Sequence, residues 1–316
     1  LHFMGKLIKG WLDVAIMGDT EQGKTEVTLS FMKHYRMGQR ILCKNATRAG
    51  LMGGMEKMGT DGKMWVVWGK VPQNDRGLVV LEEVKGASAE TLHLLTDMRS
   101  SGEASLTMIG GGFRARARTR LIWVSNPRDR RPMSQYPSGV DALRLLMETP
   151  EDVRRFDAAV FVAAGEVEDT IINRSRKDAP EVPPVWTHEL CQGLIRWVWT
   201  RTPERVTFDA DAEAAILHHA IAMSRKYGSH TIPLVGRSDQ RNKLARLSAA
   251  LAGLTFSTQD GITLRVRKAH VEALVAWLSR VYDAPSCRYH EYVERERTSG
   301  QIVSVDGVRA AIRAAA

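Results

Sequence analysis

The chain has 316 residues, a hydrophobic fraction of 44% and a formal net charge of +9. This length accommodates one large domain or two smaller ones, and the composition is that of an ordinary folded protein. No window approaches the roughly 20 apolar residues of a membrane span, and no apolar signal-peptide core opens the chain. We therefore expect a cytoplasmic protein without a membrane partner, whose basic balance fits a polyanion.

The three cysteines, Cys43, Cys191 and Cys287, lie far apart in the sequence and include no CxxC pair. This spacing argues against a disulfide framework or a cysteine-based zinc site, and it favours a reducing compartment. The chain begins with Leu1 rather than methionine, so we expect native sequence to precede it.

The first half of the chain alternates strand-like and helix-like patterns. Short apolar runs indicate buried strands, and apolar residues at helical spacing indicate helices. The predicted elements are a strand at 13–17, a helix at 24–36, a strand at 40–43, a hairpin near 63–68, a strand at 77–84, a helix at 89–98, a β-excursion at 104–120, a strand at 120–125, a helix at 139–148 and a strand at 159–163. This alternation predicts an α/β fold with a parallel sheet flanked by helices.

After about residue 175 the pattern becomes helical. A proline-rich connector at 178–185 (DAPEVPPV) precedes three helical patterns, at about 210–226, 239–252 and 268–282. We therefore predict an α/β core at 1–175, a linker at 176–205, an α-helical lid at 206–285 and a C-terminal extension without an assigned role at 286–316.

Residues 18–25 (GDTEQGKT) match the full phosphate-loop pattern GxxxxGK[ST], between a predicted strand and a predicted helix. Backbone N–H groups surround a phosphate in such a loop, and the helix N-terminus adds positive potential. Lys24 would reach the terminal phosphate oxygens, and the Thr25 hydroxyl would bind Mg²⁺. The alternative is a chance glycine-rich turn, which the flanking strand and helix disfavour. The predicted nucleotide-binding residues are Gly18, Asp19, Thr20, Glu21, Gln22, Gly23, Lys24, Thr25 and Glu26.

The apolar stretch at 78–83 (LVVLEE) ends in two acidic residues, which is typical of the second motif of a phosphate-loop ATPase. A buried strand of this kind delivers an acid to the sheet edge beside the phosphates. Glu82 is predicted to hold Mg²⁺ through water, and Glu83 to polarise the attacking water. The alternative is a buried strand that ends in two solvated glutamates.

These motifs and the segments between them resemble those of the AAA+ ATPases, and among them the MCM replicative helicases. The resemblance covers about residues 3–285. Residues 44–51 (KNATRAGL) are similar to the family's SSAxGL segment, residues 62–72 (GKMWVVWGKVP) to its short strand pair, and residues 75–84 (DRGLVVLEEV) to its acidic strand. The resemblance implies an AAA+ phosphate-loop core with an α-helical lid, ATP and Mg²⁺ as ligands, and DNA as a partner.

The resemblance also implies roles for residues further along the chain. Residues 124–127 (VSNP) are similar to the sensor 1 motif, so Asn126 would orient the lytic water or the γ-phosphate. Residues 154–157 (RRFD) resemble the family's SRFD, whose arginine acts on the neighbouring subunit's nucleotide, which gives that role to Arg155. Without the resemblance, Arg155 would be interpreted as a surface arginine paired with a nearby acid.

The sensor 2 position is left open between two arginines. Residues 241–252 (RNKLARLSAALA) resemble the lid helix that carries sensor 2, but the family's spacing from Arg246 falls on Asp239. Arg241, which is favoured, and Arg237 lie on either side of it. The family usually has alanine and serine where this chain has Gly23 and Thr25. An arginine that acts on a neighbour implies a ring of identical subunits, expected to be a hexamer.

Four arginines alternate with small residues between the acidic strand and sensor 1: Arg114, Arg116, Arg118 and Arg120. In a strand, a period of two places all four on one face, where they would repel one another unless a polyanion lay opposite. Arg114, Arg116 and Arg118 are predicted to bind DNA, and the resemblance implies a hairpin here that projects into the ring channel. The alternatives are an edge strand with a solvated face, or arginines paired with core acids, above all Arg120.

The function predicted from the sequence is the ATP-hydrolysing motor core of a ring-forming, MCM-like DNA helicase or translocase. The alternative is an MCM-like ring ATPase that remodels or clamps DNA-bound partners without unwinding, as in phage defence or mobile elements. A monomeric phosphate-loop kinase is disfavoured, because the helical lid and the SRFD-like motif have no use in it.

Overall fold

The computed structural model describes residues 1–58, 63–108, 111–172 and 185–302. Thirteen strands are formed within these ranges. They are β1 (His2–Phe3), β2 (Lys6–Leu7), β3 (Asp13–Gly18), β4 (Gln39–Leu42), β5 (Gly53–Met58), β6 (Lys63–Trp68), β7 (Leu78–Glu82), β8 (Glu103–Met108), β9 (Gly111–Arg116), β10 (Arg120–Ser125), β11 (Ala158–Val162), β12 (Val206–Phe208) and β13 (Leu264–Val266).

Helices cover the faces of the central sheet and make up most of the second half of the described chain. None of these helices is long and apolar enough to cross a bilayer. They are α1 (Lys24–Tyr35), α2 (Arg48–Leu51), α3 (Lys70–Gln73), α4 (Ala89–His93), α5 (Leu95–Ser101), α6 (Gly139–Met147), α7 (Pro150–Arg154), α8 (Asp169–Ile172), α9 (His188–Trp199), α10 (Ala210–Tyr227), α11 (Gln240–Leu254), α12 (Lys268–Asp283) and α13 (Tyr289–Ile302).

The central sheet consists of five parallel strands in the order β11-β3-β10-β7-β4. Its strands are apolar because helices cover both faces, and all five residues of β7 are buried. Strand β10 lies between β3 and β7, so that Val124 pairs with Ile16 on one side and with Glu82 on the other. The carboxyl ends of the strands therefore meet at one edge, where open α/β sheets bind ligands. The predicted α/β fold with a parallel sheet is confirmed.

Two antiparallel hairpins extend from the core. Strands β5 and β6 pair as predicted for the stretch near 63–68, and β8 pairs with β9 within the predicted β-excursion. Residues 109–110, between β8 and β9, lie outside the described residues. The predicted helix at 89–98 is divided into α4 and α5.

The second half contains the three predicted helices as α10, α11 and α12, within one or two residues of their predicted bounds. Three further features were not predicted. Helix α9 occupies part of the predicted linker, because Thr187 caps its first turn and the helix packs against α1. Strands β12 and β13 form a parallel ribbon beside α11, and α13 packs on α10 and α12. Most of the proline-rich connector lies outside the described residues.

A buried group of charges joins the helical part to the sheet. The carboxylate of Asp157 accepts hydrogen bonds from the backbone N–H of Asp13, at 2.9 Å, and from Nε of Arg246 in α11, at 2.8 Å. The Nζ atom of Lys9 lies 3.5 Å from the same carboxylate. Burial alone would raise the pKa of Asp157, but Lys9 and Arg246 outweigh it and hold this pKa below its ordinary value.

We predict that Arg246→Met lowers the free energy of unfolding by about 3–5 kcal/mol, because it removes one of the two cations that pair with the fully buried carboxylate of Asp157. Asp157 has a lowered pKa in the folded state, so its contribution is present above its unfolded pKa of about 3.9 and is lost as the pH falls below that value. Urea unfolding at pH 7 measures the loss.

The matched control for this prediction is Lys268→Met, which breaks an exposed pair with Glu272 and should cost about 0.5 kcal/mol or less. The double variant Asp157→Asn/Arg246→Met should be more stable than Arg246→Met alone. A loss for Arg246→Met no larger than that of the control would contradict the prediction.

Candidate nucleotide site and basic hairpin

The phosphate loop lies between β3 and α1, as the sequence predicts. Gly18 ends the strand at a point where any Cβ atom would collide with the carbonyl oxygen of Val162 in β11. Gly23 immediately precedes α1 with a φ of 69°, which is unstrained for glycine. The two glycines therefore allow the close approach and the left-handed turn that bring the loop to the N-terminus of α1.

Asp19 holds this loop against the segments that follow two other strands. Its side chain accepts hydrogen bonds from the backbone N–H of Met133, at 2.7 Å, and of Ala164, at 2.9 Å. Met133 follows β10 and Ala164 follows β11, while the N–H of Asp19 itself donates to Val162. Asp19 was predicted only as a member of the loop, and these contacts make it a residue that positions the loop.

Lys24 is buried at the first position of α1, and its ammonium group donates a hydrogen bond to the backbone carbonyl of Asp19. Burial lowers the pKa of Lys24, with a further contribution from Lys85, while the charge of Asp19 opposes the shift. The lysine is thus held within the loop, at the N-terminal end of the helix, where an anion is favoured.

A cavity of about 750 Å³ opens beside the loop. It brings together the loop, Glu83 and Asn126, as the sequence predicts, and it adds Lys85 and Ser125, which sequence reasoning missed. The only sequence signal for Lys85 is its position two residues after Glu83. The lining residues are Thr20, Glu21, Gln22, Gly23, Lys24, Thr25, Glu26, Glu83, Lys85, Val124, Ser125 and Asn126.

Glu83 directly follows β7 and has a left-handed backbone, with a φ of 51°. This conformation is uncommon for a residue with a side chain, and it occurs often at functional sites. The carboxylate is about half exposed and lies 3.3 Å from Nζ of Lys44, in an ion pair with that residue. Glu83 is therefore the acid of the β7 motif that faces the cavity.

Glu82 has a different environment from its neighbour. It is 2% exposed, and its Oε2 atom accepts hydrogen bonds from Nε and Nη2 of Arg40 at 2.8 and 2.5 Å. Its Oε1 atom lies 3.4 Å from the hydroxyl of Thr28 in α1. Arg40 already binds one of the two carboxylate oxygens of Glu82, so that oxygen is not free to bind Mg²⁺. The role of Glu82 at Mg²⁺ stays a prediction.

The cavity offers oxygen ligands of the kind that Mg²⁺ requires. Thr25 and Glu83 both line it, so the threonine hydroxyl and the glutamate carboxylate could hold the ion directly or through water. Glu82 fits less well, because it does not line the cavity. Among the described residues, no group of three or more His, Cys, Asp or Glu side chains forms a metal site independent of a phosphate ligand.

Three arginines were predicted to sense the nucleotide or to complete the site, and none of them lines this cavity: Arg155, Arg237 and Arg241. Arg154 donates from Nε to Asp239 at 2.8 Å, so its guanidinium binds the loop before α11. Arg155 is half-buried, and its Nε atom has no hydrogen-bond partner among the described residues. Arg237 and Arg241 line a separate cavity of about 1010 Å³ with Arg225 and Arg297.

The four arginines of the alternating segment divide into two pairs. Arg114 and Arg116 are exposed on β9, and the side chain of Arg114 is 79% exposed, with Glu103 at 4.0 Å. Arg118 lies beyond the strand and donates to both carboxylate oxygens of Asp75, at 3.0 and 2.5 Å. The guanidinium of Arg120 lies over the ring of Trp199, 4.1 Å from its centroid.

The prediction of four arginines on one strand face is therefore wrong for Arg118 and Arg120. The strand ends at Arg116 because the backbone N–H of Arg118 also donates to Asp75, and the hydroxyl of Thr119 donates to the carbonyl of Val71. Arg120 begins the next strand of the central sheet, where burial lowers its pKa to about 10. Arg118 thus binds the carboxylate of Asp75, whereas the sequence predicted a DNA phosphate as its partner.

Comparison with known proteins adds no assignment to this geometry. No protein-family model matches the chain, and no curated protein sequence matches it.

Proposed function

We propose that this chain is the ATP-hydrolysing motor core of a ring-forming DNA translocase, of the kind that the MCM-like motifs imply. The observation that carries the proposal is the cavity, in which the phosphate loop, Glu83 and Asn126 come together. The strand order supports it, because β10 lies between β3 and β7 and so delivers Asn126 to a position between the loop and the acid.

In the proposed reaction each residue has a separate task. The N–H groups of the loop and the ammonium group of Lys24 bind the β- and γ-phosphates. Glu83 accepts the proton of the attacking water, and the Asn126 amide orients that water. Mg²⁺, held near Thr25, would neutralise charge on the phosphate oxygens.

The position of the arginines supports a site shared between subunits. Among the described residues, no arginine lines the phosphate-loop cavity, although Arg155, Arg237 and Arg241 were predicted to act on a nucleotide. An arginine commonly stabilises the charge of phosphoryl transfer and can be supplied by another chain. A second copy that presents these side chains would complete the site, as in a ring with one interface type.

The β8–β9 hairpin supports DNA as the partner. Arg114 and Arg116 lie on one face of β9, and their cross-strand neighbours are Ser105 and Glu103. The opposite face is apolar, with Leu106 buried and the partly exposed Phe113 opposite it on β9. The hairpin therefore presents two guanidinium groups outward beside one acid, Glu103, and this excess of positive charge suits backbone phosphates.

We predict that Glu83→Gln retains ATP binding but lowers turnover about 100-fold or more, because general base catalysis contributes about 10²–10⁴-fold. The measurement is steady-state ATPase activity together with the affinity for ATP. Glu90→Gln, at an exposed acid of α4, is the matched control and should hydrolyse ATP normally. Normal turnover by Glu83→Gln would remove Glu83 from its catalytic role.

We predict that subunits carrying Lys24→Ala and subunits carrying Arg155→Ala, each inactive alone, regain part of the ATPase activity when mixed. Mixed interfaces would pair an intact phosphate loop with an intact arginine. ATPase assays of mixtures at several ratios measure the rescue, and each variant mixed with wild-type protein serves as the reference. No rescue, in mixtures shown by light scattering to assemble, would argue against shared sites.

We predict that Arg114→Ala/Arg116→Ala weakens DNA binding and lowers the slope of log K against log salt concentration by about 1.4–1.8, which is two phosphate contacts. Fluorescence anisotropy at several salt concentrations measures both. The control Lys268→Ala/Arg280→Ala removes two exposed charges of α12 and should keep the wild-type slope. An unchanged slope in the hairpin variant would remove the hairpin from the DNA interface. Strand displacement on forked DNA separates a helicase from a remodeller.

A further inference from the structure

Lys85 lines the phosphate-loop cavity but has no task in the reaction described above. It lies in the 3₁₀ turn Val84–Gly86 that follows Glu83. Its backbone N–H donates to the hydroxyl of Ser125, at 3.1 Å, and Ser125 is itself buried at the end of β10. The backbone of Lys85 is therefore bound to the last residue of β10, which directly precedes Asn126.

The cavity has two walls of different character. The phosphate loop and the start of α1 form one wall, from Thr20 to Glu26, and the ends of β7 and β10 with the residues after them form the other. Lys24 belongs to the first wall, and Lys85 to the second, together with Glu83 and Asn126. The two lysines are close enough that the charge of Lys85 contributes, after burial, to the lowered pKa of Lys24.

The nearest acid along the chain does not neutralise Lys85. Glu83 is in an ion pair with Lys44, at 3.3 Å, and in the described part of the chain no acidic side chain is in ion-pair contact with Lys85. Glu21 and Glu26 also line the cavity, but in the described residues neither forms an ion pair with Lys24 or Lys85, so both ammonium groups are available to an anion that lies between them. Such a pair suits a ligand with several negative charges more than a ligand with few.

We propose that Lys85 is a second phosphate-binding lysine, which contacts the terminal phosphate of a bound nucleoside triphosphate and makes the site prefer the triphosphate over the diphosphate. This inference rests on the proposed ATPase function. Lys24 spans the β- and γ-phosphates, whereas the attack assisted by Glu83 and Asn126 occurs at the γ-phosphate. Lys85 lies on the same wall of the cavity as Glu83 and Asn126, so it is positioned to contact the terminal phosphate.

The chemistry of the side chain fits this task. A lysine ammonium is a compact charge on a flexible stem, so it can follow the terminal phosphate as the position of that group changes. Because Lys85 belongs to the same subunit as the loop, it would bind the terminal phosphate before any neighbour contributes an arginine. An isolated subunit should therefore already distinguish ATP from ADP.

The experiment compares the affinities of Lys85→Met, Lys85→Arg and wild-type protein for a non-hydrolysable ATP analogue and for ADP, by calorimetry with Mg²⁺ present. We expect Lys85→Met to bind the analogue about 10- to 100-fold more weakly, which corresponds to one lost charge-assisted hydrogen bond. Its affinity for ADP should change less than about threefold, and Lys85→Arg should recover most of the loss. Lys70→Met, an exposed lysine of α3 outside the cavity, should bind both ligands as the wild type does.

Three outcomes would overturn the inference. In the first, Lys85→Met binds both ligands normally, so that the lysine contacts no phosphate. In the second, both Lys85 variants lose affinity for ATP and ADP alike, which indicates that the turn supports the loop without reading the terminal phosphate. In the third, wild-type protein binds neither nucleotide, a result that overturns the ATPase proposal as well and is distinguished from the others by the wild type alone.

Discussion

The buried carboxylate of Asp157 joins three parts of the molecule. It binds the backbone of Asp13 at the start of β3, Lys9 in the N-terminal segment and Arg246 in α11. A fully buried charge is very costly unless it is paired and hydrogen-bonded, so these three partners must stay in place while the protein is folded. The position of α11 against the sheet follows from this requirement, and the contact of Arg154 with Asp239 adds a second link between the same two parts.

At the opposite end of β3, a second aspartate, Asp19, also joins separate segments of the chain through its carboxylate. Asp19 accepts N–H groups from the residues after β10 and β11, which are the two strands that flank β3 in the sheet. The shape of the phosphate loop is therefore set by its neighbours on both sides as well as by its own glycines. Ser125, the last residue of β10, and Asn126, which follows it, line the opposite wall of the cavity, so the stretch of chain from Ser125 to Met133 both forms that wall and contacts the loop.

The sequence was sufficient for the parts of the structure that depend on local pattern. The strand, loop and helix around Gly18–Thr25 were predictable because motif spacing fixes them, and α10 to α12 were predictable from helical periodicity. The strand order was not predictable from periodicity, since it depends on contacts between distant segments. The same holds for the partner of Glu82: Arg40 lies 42 residues earlier and shows no sign in the sequence of reaching it.

The arginine-rich segment shows most clearly what spacing alone leaves out. Alternation treats its four arginines as equivalent, yet Asp75 and Trp199 bind the two nearest the sheet and leave Arg114 and Arg116 exposed.

Basic side chains also line two separate cavities. Arg225, Arg237, Arg241 and Arg297 line the cavity of about 1010 Å³ without an acidic side chain, whereas the phosphate-loop cavity combines Lys24 and Lys85 with Glu21, Glu26 and Glu83. A lysine ammonium on its flexible stem can adjust its position toward an anion, while a rigid guanidinium suits a planar group held in a fixed position. Within the described residues, the arginine-lined cavity therefore has a basic surface that would match an acidic group of another molecule.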